Sequence, residues 1–126
     1  MNHPDNLLYT KDHEWVHIEN GHAKIGITDY AQTELGDIVY VDIESLDEEI
    51  ERHGIFGSVE AVKTVSDLFM PISGVVTEKN ELLEDQPELV NLDPYGKGWM
   101  IKIKITGNAA DADLLNVSEY IKEIGQ

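Results

Sequence analysis

Apolar and polar residues alternate with a period of two in several short stretches of this chain, and helix-period stretches are short. Trp15-Val16-His17-Ile18 alternates and runs into Asn20-Gly21, a two-residue hairpin signal, and the return strand sets Ala23, Ile25 and Ile27 on one face. Residues 29–35 read as a two-turn helix, with Asp29 as N-cap, Gln32 three residues on and Gly36 as terminator. Residues 37–43 read as a strand with Val39, Val41 and Ile43 facing one way. Residues 56–62 form a further strand, and residues 68–76, interrupted by Pro71, its return. The most regular alternation is residues 99–105, which predicts Trp99, Ile101, Ile103 and Ile105 inward and Lys102 and Lys104 outward. Between these strands, residues 45–52 read as a solvated acidic connection, residues 81–94 as turn or short helix, and residues 95–98 as a turn. Residues 111–123 close the chain with one or two short helices capped by Asp111 and Ser118.

Six or seven short strands with helices only at the margins argue for a mainly β fold, a compact sandwich or barrel. At 126 residues, with no Pro/Gly/Ser linker and no repeat at solenoid periods, the chain reads as one domain spanning 1–126, its C-terminal helical segment at about 111–124. Charge narrows the partners. With 25 acidic against 9 basic side chains the formal net charge is −16, which repels phosphate backbones and anionic membranes. The same charge serves solubility or steering toward basic protein patches. The absence of cysteine removes disulfides, thiolate metal sites and a cysteine nucleophile. The first residues have neither a basic n-region nor an apolar h-region, and no apolar run reaches membrane-spanning length, so the expected location is cytoplasmic.

The chemistry concentrates at one lysine. Lys63 lies between two apolar runs, among Glu60, Ala61, Thr64, Ser66 and Asp67, with no other Lys or Arg between Arg52 and Lys79. Glycine or asparagine is the usual occupant of such a tip. Spacing alone leaves two readings: an ordinary surface lysine, or an amine held out for acylation on a long aliphatic stem. Gly57 and Gly74 flank the unit, where close backbone approach or a bend would help. His13 and His17 share a strand face but are too far apart for one metal, and His3, His22 and His53 are scattered, so no metal site is expected. Asp47, Glu48, Glu49 and Glu51 read as a solvated face, Gly96-Lys97-Gly98 lacks phosphate-loop spacing, and no serine has an elbow or triad. No catalytic residue is expected.

The stretch from Val59 to Asp67, with Pro71-Ile72-Ser73-Gly74 after it, closely resembles the lipoylation hairpin of the glycine cleavage system H protein family. The likeness extends through Tyr9-Thr10-Lys11-Asp12-His13-Glu14-Trp15-Val16, Ile25-Gly26-Ile27-Thr28-Asp29-Tyr30-Ala31-Gln32, Leu35-Gly36-Asp37-Ile38-Val39, and the segment from Asn91 to Lys102. Biotin carrier domains have methionines beside their lysine, whereas Val62 and Thr64 stand here; lipoyl domains of 2-oxo acid dehydrogenases have an Asp-Lys-Ala core.

The resemblance implies a lipoyl/biotinyl-type hybrid barrel-sandwich with short peripheral helices, and lipoate in amide linkage to Lys63. It further implies that Glu60 and Gly74 present the lysine to lipoyl-attaching enzymes, and that the loaded arm parks by Glu14 and Asp67. The expected role is a non-catalytic, monomeric carrier. It would take the aminomethyl group of glycine from the pyridoxal-phosphate glycine decarboxylase (P protein) to the tetrahydrofolate-dependent aminomethyltransferase (T protein). Dihydrolipoamide dehydrogenase (L protein) would then reoxidise it. The alternative is a relay that donates lipoyl groups to other apoproteins. Ala61, Thr64 and Met70 depart from the family pattern, as does the acidic loop 44–53, which lacks the expected Pro and Gly.

Overall fold

A computed structural model describes residues 2–125, apart from the side chain of residue 110. Its described residues form nine strands in two sheets. The larger sheet contains β1 (Leu8–Tyr9), β2 (Glu14–Glu19), β3 (His22–Ile27), β5 (Glu49–Ile50), β8 (Gly74–Lys79) and β9 (Ile101–Ile105), in the spatial order β1-β2-β3-β9-β8-β5. The smaller contains β4 (Ile38–Asp42), β6 (Ile55–Ala61) and β7 (Val65–Phe69), in the order β4-β6-β7. All pairings are antiparallel. The core lies between the sheets: Val16, Ile25, Val76, Ile101 and Ile103 from one meet Ile38, Val41, Phe56, Val59 and Leu68 from the other. Period-two alternation makes this possible, because each strand sends one set of side chains inward and leaves the other in water.

The predicted β2–β3 hairpin forms. Asn20 and Gly21 both take positive φ, 52° and 79°, as a primed two-residue turn requires. Trp15 and Val16 are nonetheless both buried, because β2 is covered on two faces. Val16 enters the main core, while Trp15 lies over Gly26 and joins Leu7, Tyr9 and Tyr120 in a second cluster under the C-terminal helix.

Several boundaries differ from expectation. Residues 68–76 are not one strand; the chain leaves β7 at Phe69, turns through Pro71, and enters β8 in the other sheet. A bulge between Ile38 and Tyr40 puts Ile38 inside and Val39 outside, reversing the face expected for Val39. Residues 45–52 contain the short edge strand β5. Trp99 stands outside β9 beneath the ammonium groups of Lys102 and Lys24, at 4.9 and 5.7 Å from its ring centre, and Met100 takes the buried place instead.

Among the described residues, four α-helical segments decorate the sheets: α1 (Asp29–Leu35), α2 (Leu82–Asp85), α3 (Leu89–Leu92) and α4 (Val117–Glu123), with a 3-10 turn at Ala109–Asp111. Thr28, not Asp29, caps α1. Its backbone is extended, its Oγ1 accepts the Ala31 N–H at 3.1 Å, and the same oxygen lies 2.7 Å from the Tyr120 hydroxyl. Asn116, not Ser118, caps α4, in a reciprocal capping box with Glu119. Asp111 ends the 3-10 turn.

Because Thr28 is fully buried and joins a helix cap to the second cluster, Thr28→Val is expected to lower the unfolding free energy by about 1–2 kcal/mol. Urea denaturation reads this as a lower midpoint with an unchanged slope.

Candidate functional site

The β6–β7 hairpin projects Lys63 from the smaller sheet. Phe56, Val59, Ala61 and Leu68 bury the inner face of its stem, so the hairpin is anchored from below. Gly57 has a packing reason for lacking a side chain, since a Cβ there would stand 2.5 Å from the Asp42 carbonyl oxygen. Register runs Ser58 to Asp67, Val59 to Ser66 and Glu60 to Val65, and the Ala61 N–H donates to the Thr64 carbonyl at 2.7 Å. Val62 and Lys63 make the two-residue loop, and neither takes positive φ. The Val62 N–H donates to the Asp37 carbonyl at 3.1 Å, which fixes the tip against the start of β4.

Residues 62–65 are all exposed. The Lys63 stem rests on the end of α1, its Cε 3.6 Å from where a Cβ on Gly36 would stand. Gly36 has φ +80° and donates its N–H to the Gln32 carbonyl at 2.9 Å, so a residue expected only to end a helix also makes the floor under the lysine. No carboxylate pairs with the Lys63 amine among the described residues. An exposed, unpaired primary amine on a rigid stem is what acylation by a separate enzyme requires, and lipoate fits here on that observation.

Glu60 and Asp67 share the hairpin with Lys63 and are exposed, Glu60 opposite Tyr40 and Val65, Asp67 opposite Ser58. Glu14 comes to the same hairpin from the larger sheet. It opens β2, is only 2% exposed, and its Oε2 accepts the Phe69 N–H on β7 at 3.4 Å. The Thr10 hydroxyl donates to Oε1 at 2.8 Å and accepts the Glu14 N–H at 3.1 Å. Burial pushes the Glu14 carboxyl up to about 8, against the opposing pull of the Thr10 and Phe69 hydrogen bonds and with a small push from the Asp12 charge. Burial thus favours the protonated form of Glu14. Gly74 lies apart from the tip, in the larger sheet between Ile50 and Ile105, where a Cβ would stand 2.7 Å from the Lys104 carbonyl oxygen.

His13 precedes β2 with φ 67°, and its Nδ1 lies 3.0 Å from the Tyr120 hydroxyl. Burial lowers its pKa, outweighing the charges of Asp12, Glu123 and Glu34. No group of three His, Cys, Asp or Glu side chains able to hold a metal occurs among the described residues. Thr10, Phe69 and Asn91 are site-shaping residues that pattern did not single out. Only Asn91 had a local signal, a polar side chain inside a short apolar helix.

Two facing sheets that hold an unpaired lysine at the tip of a rigid hairpin define a carrier domain of the lipoyl/biotinyl barrel-sandwich type. The crystal structure of a glycine cleavage system H protein from Mycobacterium marinum has this fold, with a TM-score of 0.90 and 37% identity over 98% of this chain and 99% of that one. The chain belongs to the glycine cleavage H-protein family, whose model matches residues 7–126. It is 54% identical over 120 residues to a glycine cleavage system H protein of Bacteroides thetaiotaomicron, spanning 95% of both chains. It is 53% identical over 123 residues to one of Staphylococcus epidermidis, spanning 98% of both. Members of this family are lipoyl carrier subunits of the glycine cleavage system, so this chain is a carrier that works with other components of that system.

The buried carboxyl gives a pH signature. An unfolded Glu14 loses its proton near 4.5, while the folded one keeps it to about 8, so between these values the folded state binds more protons and loses stability as pH rises. At about 1.4 kcal/mol per pKa unit the loss amounts to several kcal/mol. Urea unfolding at a series of pH values is expected to show wild type and Glu14→Gln similar near pH 4.5, with a gap favouring the glutamine variant that opens up to about pH 8. Parallel curves would mean that Glu14 ionises normally.

Proposed function

We propose that Nζ of Lys63 carries lipoate in amide linkage, and that the chain moves a one-carbon unit from a glycine decarboxylase to a tetrahydrofolate-dependent aminomethyltransferase, with dihydrolipoamide dehydrogenase completing the cycle. The observation that carries this reading is the exposed Lys63 amine, free of any carboxylate partner among the described residues, on a hairpin whose base is buried. Lipoate bound there would supply a cyclic disulfide that takes up the aminomethyl group, and the dithiol left once that group has moved on would give up two electrons for reoxidation.

This chain's own residues position and shelter. The core under Phe56, Val59, Ala61 and Leu68 keeps the tip rigid, and Gly36 leaves room for the lysine stem to lie flat or lift away. Counting bonds, lysine and lipoyl together reach roughly 14 Å, enough to enter a partner's pocket while the body stays outside. Tethering keeps the reactive end at high effective concentration for each enzyme that docks. Glu60 meets the lipoyl-attaching enzyme from the hairpin itself. Gly74 contributes to presentation from a distance, by letting β8 lie against β9.

Glu14 and Asp67 form the resting place of the arm. Both lie along β7, Asp67 exposed and Glu14 bonded to Phe69 two residues further on. Asp67 offers a carboxylate at the surface, while Glu14 holds a proton on its carboxyl in low dielectric. A cation brought beside Glu14 favours release of that proton and a charge-paired carboxylate. The chain acts without catalysing a step, as a monomer in the cytoplasm and as one domain over 1–126. No helix among the described residues is long and apolar enough to cross a membrane.

Intact-mass analysis after coexpression with a lipoyl-attaching enzyme tests the reading. Wild type gains one lipoyl amide; Lys63→Arg gains none, loses support of glycine–bicarbonate exchange by the decarboxylase, and melts at nearly the wild-type temperature, because the tip has no buried contact to lose. A lipoylated Lys63→Arg variant would refute the assignment.

A further inference from the structure

We propose that Asn91 is a positioning residue for the acylation of Lys63, setting through one peptide unit where the hairpin tip is held out to the lipoyl-attaching enzyme. The proposal rests on the carrier reading above and adds a residue that acts on the lysine only through the backbone.

Asn91 grips the chain on both sides of Asp37. Its Nδ2 donates to the Gly36 carbonyl at 2.9 Å, and its Oδ1 accepts the Ile38 N–H at 2.9 Å. The second Nδ2 hydrogen goes to the Gln32 side-chain oxygen at 3.0 Å, so both donor hydrogens are in use. The Ile38 N–H and the Asp37 carbonyl belong to the same peptide unit, which is planar and trans. They therefore point in opposite directions. The N–H meets Asn91, and the carbonyl accepts the Val62 N–H at 3.1 Å. The result is a relay of hydrogen bonds from the Asn91 amide, across one rigid plane, to the residue before Lys63. Turning that plane away from Asn91 takes its carbonyl away from Val62 as well.

Little else places the tip. Past Ala61, which pairs with Ile38, the bond from Val62 to Asp37 is the one backbone bond from the tip to another element among the described residues. Val62 is 76% exposed and Lys63 is exposed, so packing does not fix either side chain. β4 is the edge of the smaller sheet, and no further strand offers the Ile38 N–H an acceptor in place of Asn91.

Acyl transfer is sensitive to that placement. Nζ, having shed a proton, attacks the carbonyl of an activated lipoyl ester or anhydride held by the enzyme; the amide bond forms and the activating group leaves. Attack needs the two atoms about 3–3.5 Å apart, and a misplacement of about 1 Å costs rate. Asn91 is half-buried with its oxygen and both hydrogens engaged, so it has little to offer a docking enzyme directly. Its loss therefore lowers kcat and spares KM. A variant that is merely less folded does the reverse, because a smaller usable fraction raises the apparent KM and leaves kcat as it was.

The test follows lipoyl attachment to the intact chain by a purified lipoyl-attaching enzyme, comparing wild type, Asn91→Ala and Asn80→Ala. Asn80 is the matched control. It is a second amide knot, donating to the Lys97 and Trp99 carbonyls at 2.7 and 2.8 Å and accepting the Leu82 N–H at 3.2 Å, and none of these bonds reaches the hairpin. Both variants are expected to melt below wild type. Only Asn91→Ala loses kcat, by at least about fivefold, with KM within about twofold of wild type. Acetylation of Lys63 by acetic anhydride, resolved by peptide mass, is expected to run at the wild-type rate in all three, because the amine is exposed. Amide hydrogen exchange reads the relay directly. In wild type the Val62 N–H exchanges at least about tenfold more slowly than the Lys63 N–H, which has no acceptor among the described residues, and Asn91→Ala removes the difference. An unchanged kcat in Asn91→Ala, an equal fall in Asn80→Ala, or an equal slowing with the anhydride overturns the proposal. So does a wild-type Val62 N–H that exchanges as fast as that of Lys63, a result that holds whether or not Asn91→Ala folds. A wild-type chain that takes no lipoyl group at Lys63 overturns the carrier reading and this proposal together, whereas lipoylated wild type with normal kcat in Asn91→Ala overturns this proposal alone.

Discussion

One amide side chain holds the platform on which the lysine hairpin rests. Asn91 accepts the Ile38 N–H at 2.9 Å and donates to the Gln32 side-chain oxygen at 3.0 Å and the Gly36 carbonyl at 2.9 Å. It thereby satisfies a carbonyl at the end of α1 and an N–H at the start of β4, groups that neither element can pair by itself. These are the same places the tip uses: Val62 bonds the Asp37 carbonyl, and the Lys63 stem lies over Gly36. A lysine can be displayed without flexing only if what lies beneath it is over-determined. Here a buried apolar stem and a three-way polar knot supply that from opposite sides.

Glu14 shows the opposite economy. A carboxyl buried at the edge of β7 is destabilising as a charge, so burial favours its protonated form, and no base pairs with it among the described residues. Its oxygens receive Thr10 and the Phe69 N–H, which would otherwise be an open donor on an edge strand. The interaction therefore closes the sheet edge at this point.

How much of this was legible depended on whether the controlling contact was local. Asn20-Gly21 announces its hairpin because turn geometry is set by those two residues. Asp29 reads as the cap of α1 because its side chain suits that role, whereas Thr28 takes it in a fold where Tyr120, 92 residues away in sequence, engages the Thr28 hydroxyl. Val39 was misplaced because a bulge leaves no trace in a two-residue period. Residues 68–76 read as one strand because Pro71 signals a break without saying that the chain changes sheets. At the site, Lys63 stands out as an anomaly, and its neighbours in sequence carry the family resemblance. The Glu14–Phe69 contact spans 55 residues and the Asn91–Ile38 contact 53, so neither could be read from pattern.

The chain's two tight hairpins make the remaining point. Asn20-Gly21 takes the primed conformation that matches strand twist, and it displays nothing but a turn. Val62-Lys63 joins its strands with equally few loop residues, yet without positive φ, although primed turns match strand twist better. Asparagine and glycine would suit the turn better and would remove both the amine and an apolar neighbour from the tip. Local preference and fold disagree at this one turn, and such disagreements concentrate where a sequence answers to function. The less favoured turn is held by Ala61 below, Asp37 beside and Gly36 under the stem. The odd turn and its unusually well-braced surroundings are therefore one feature, seen from the side of display and from the side of stability.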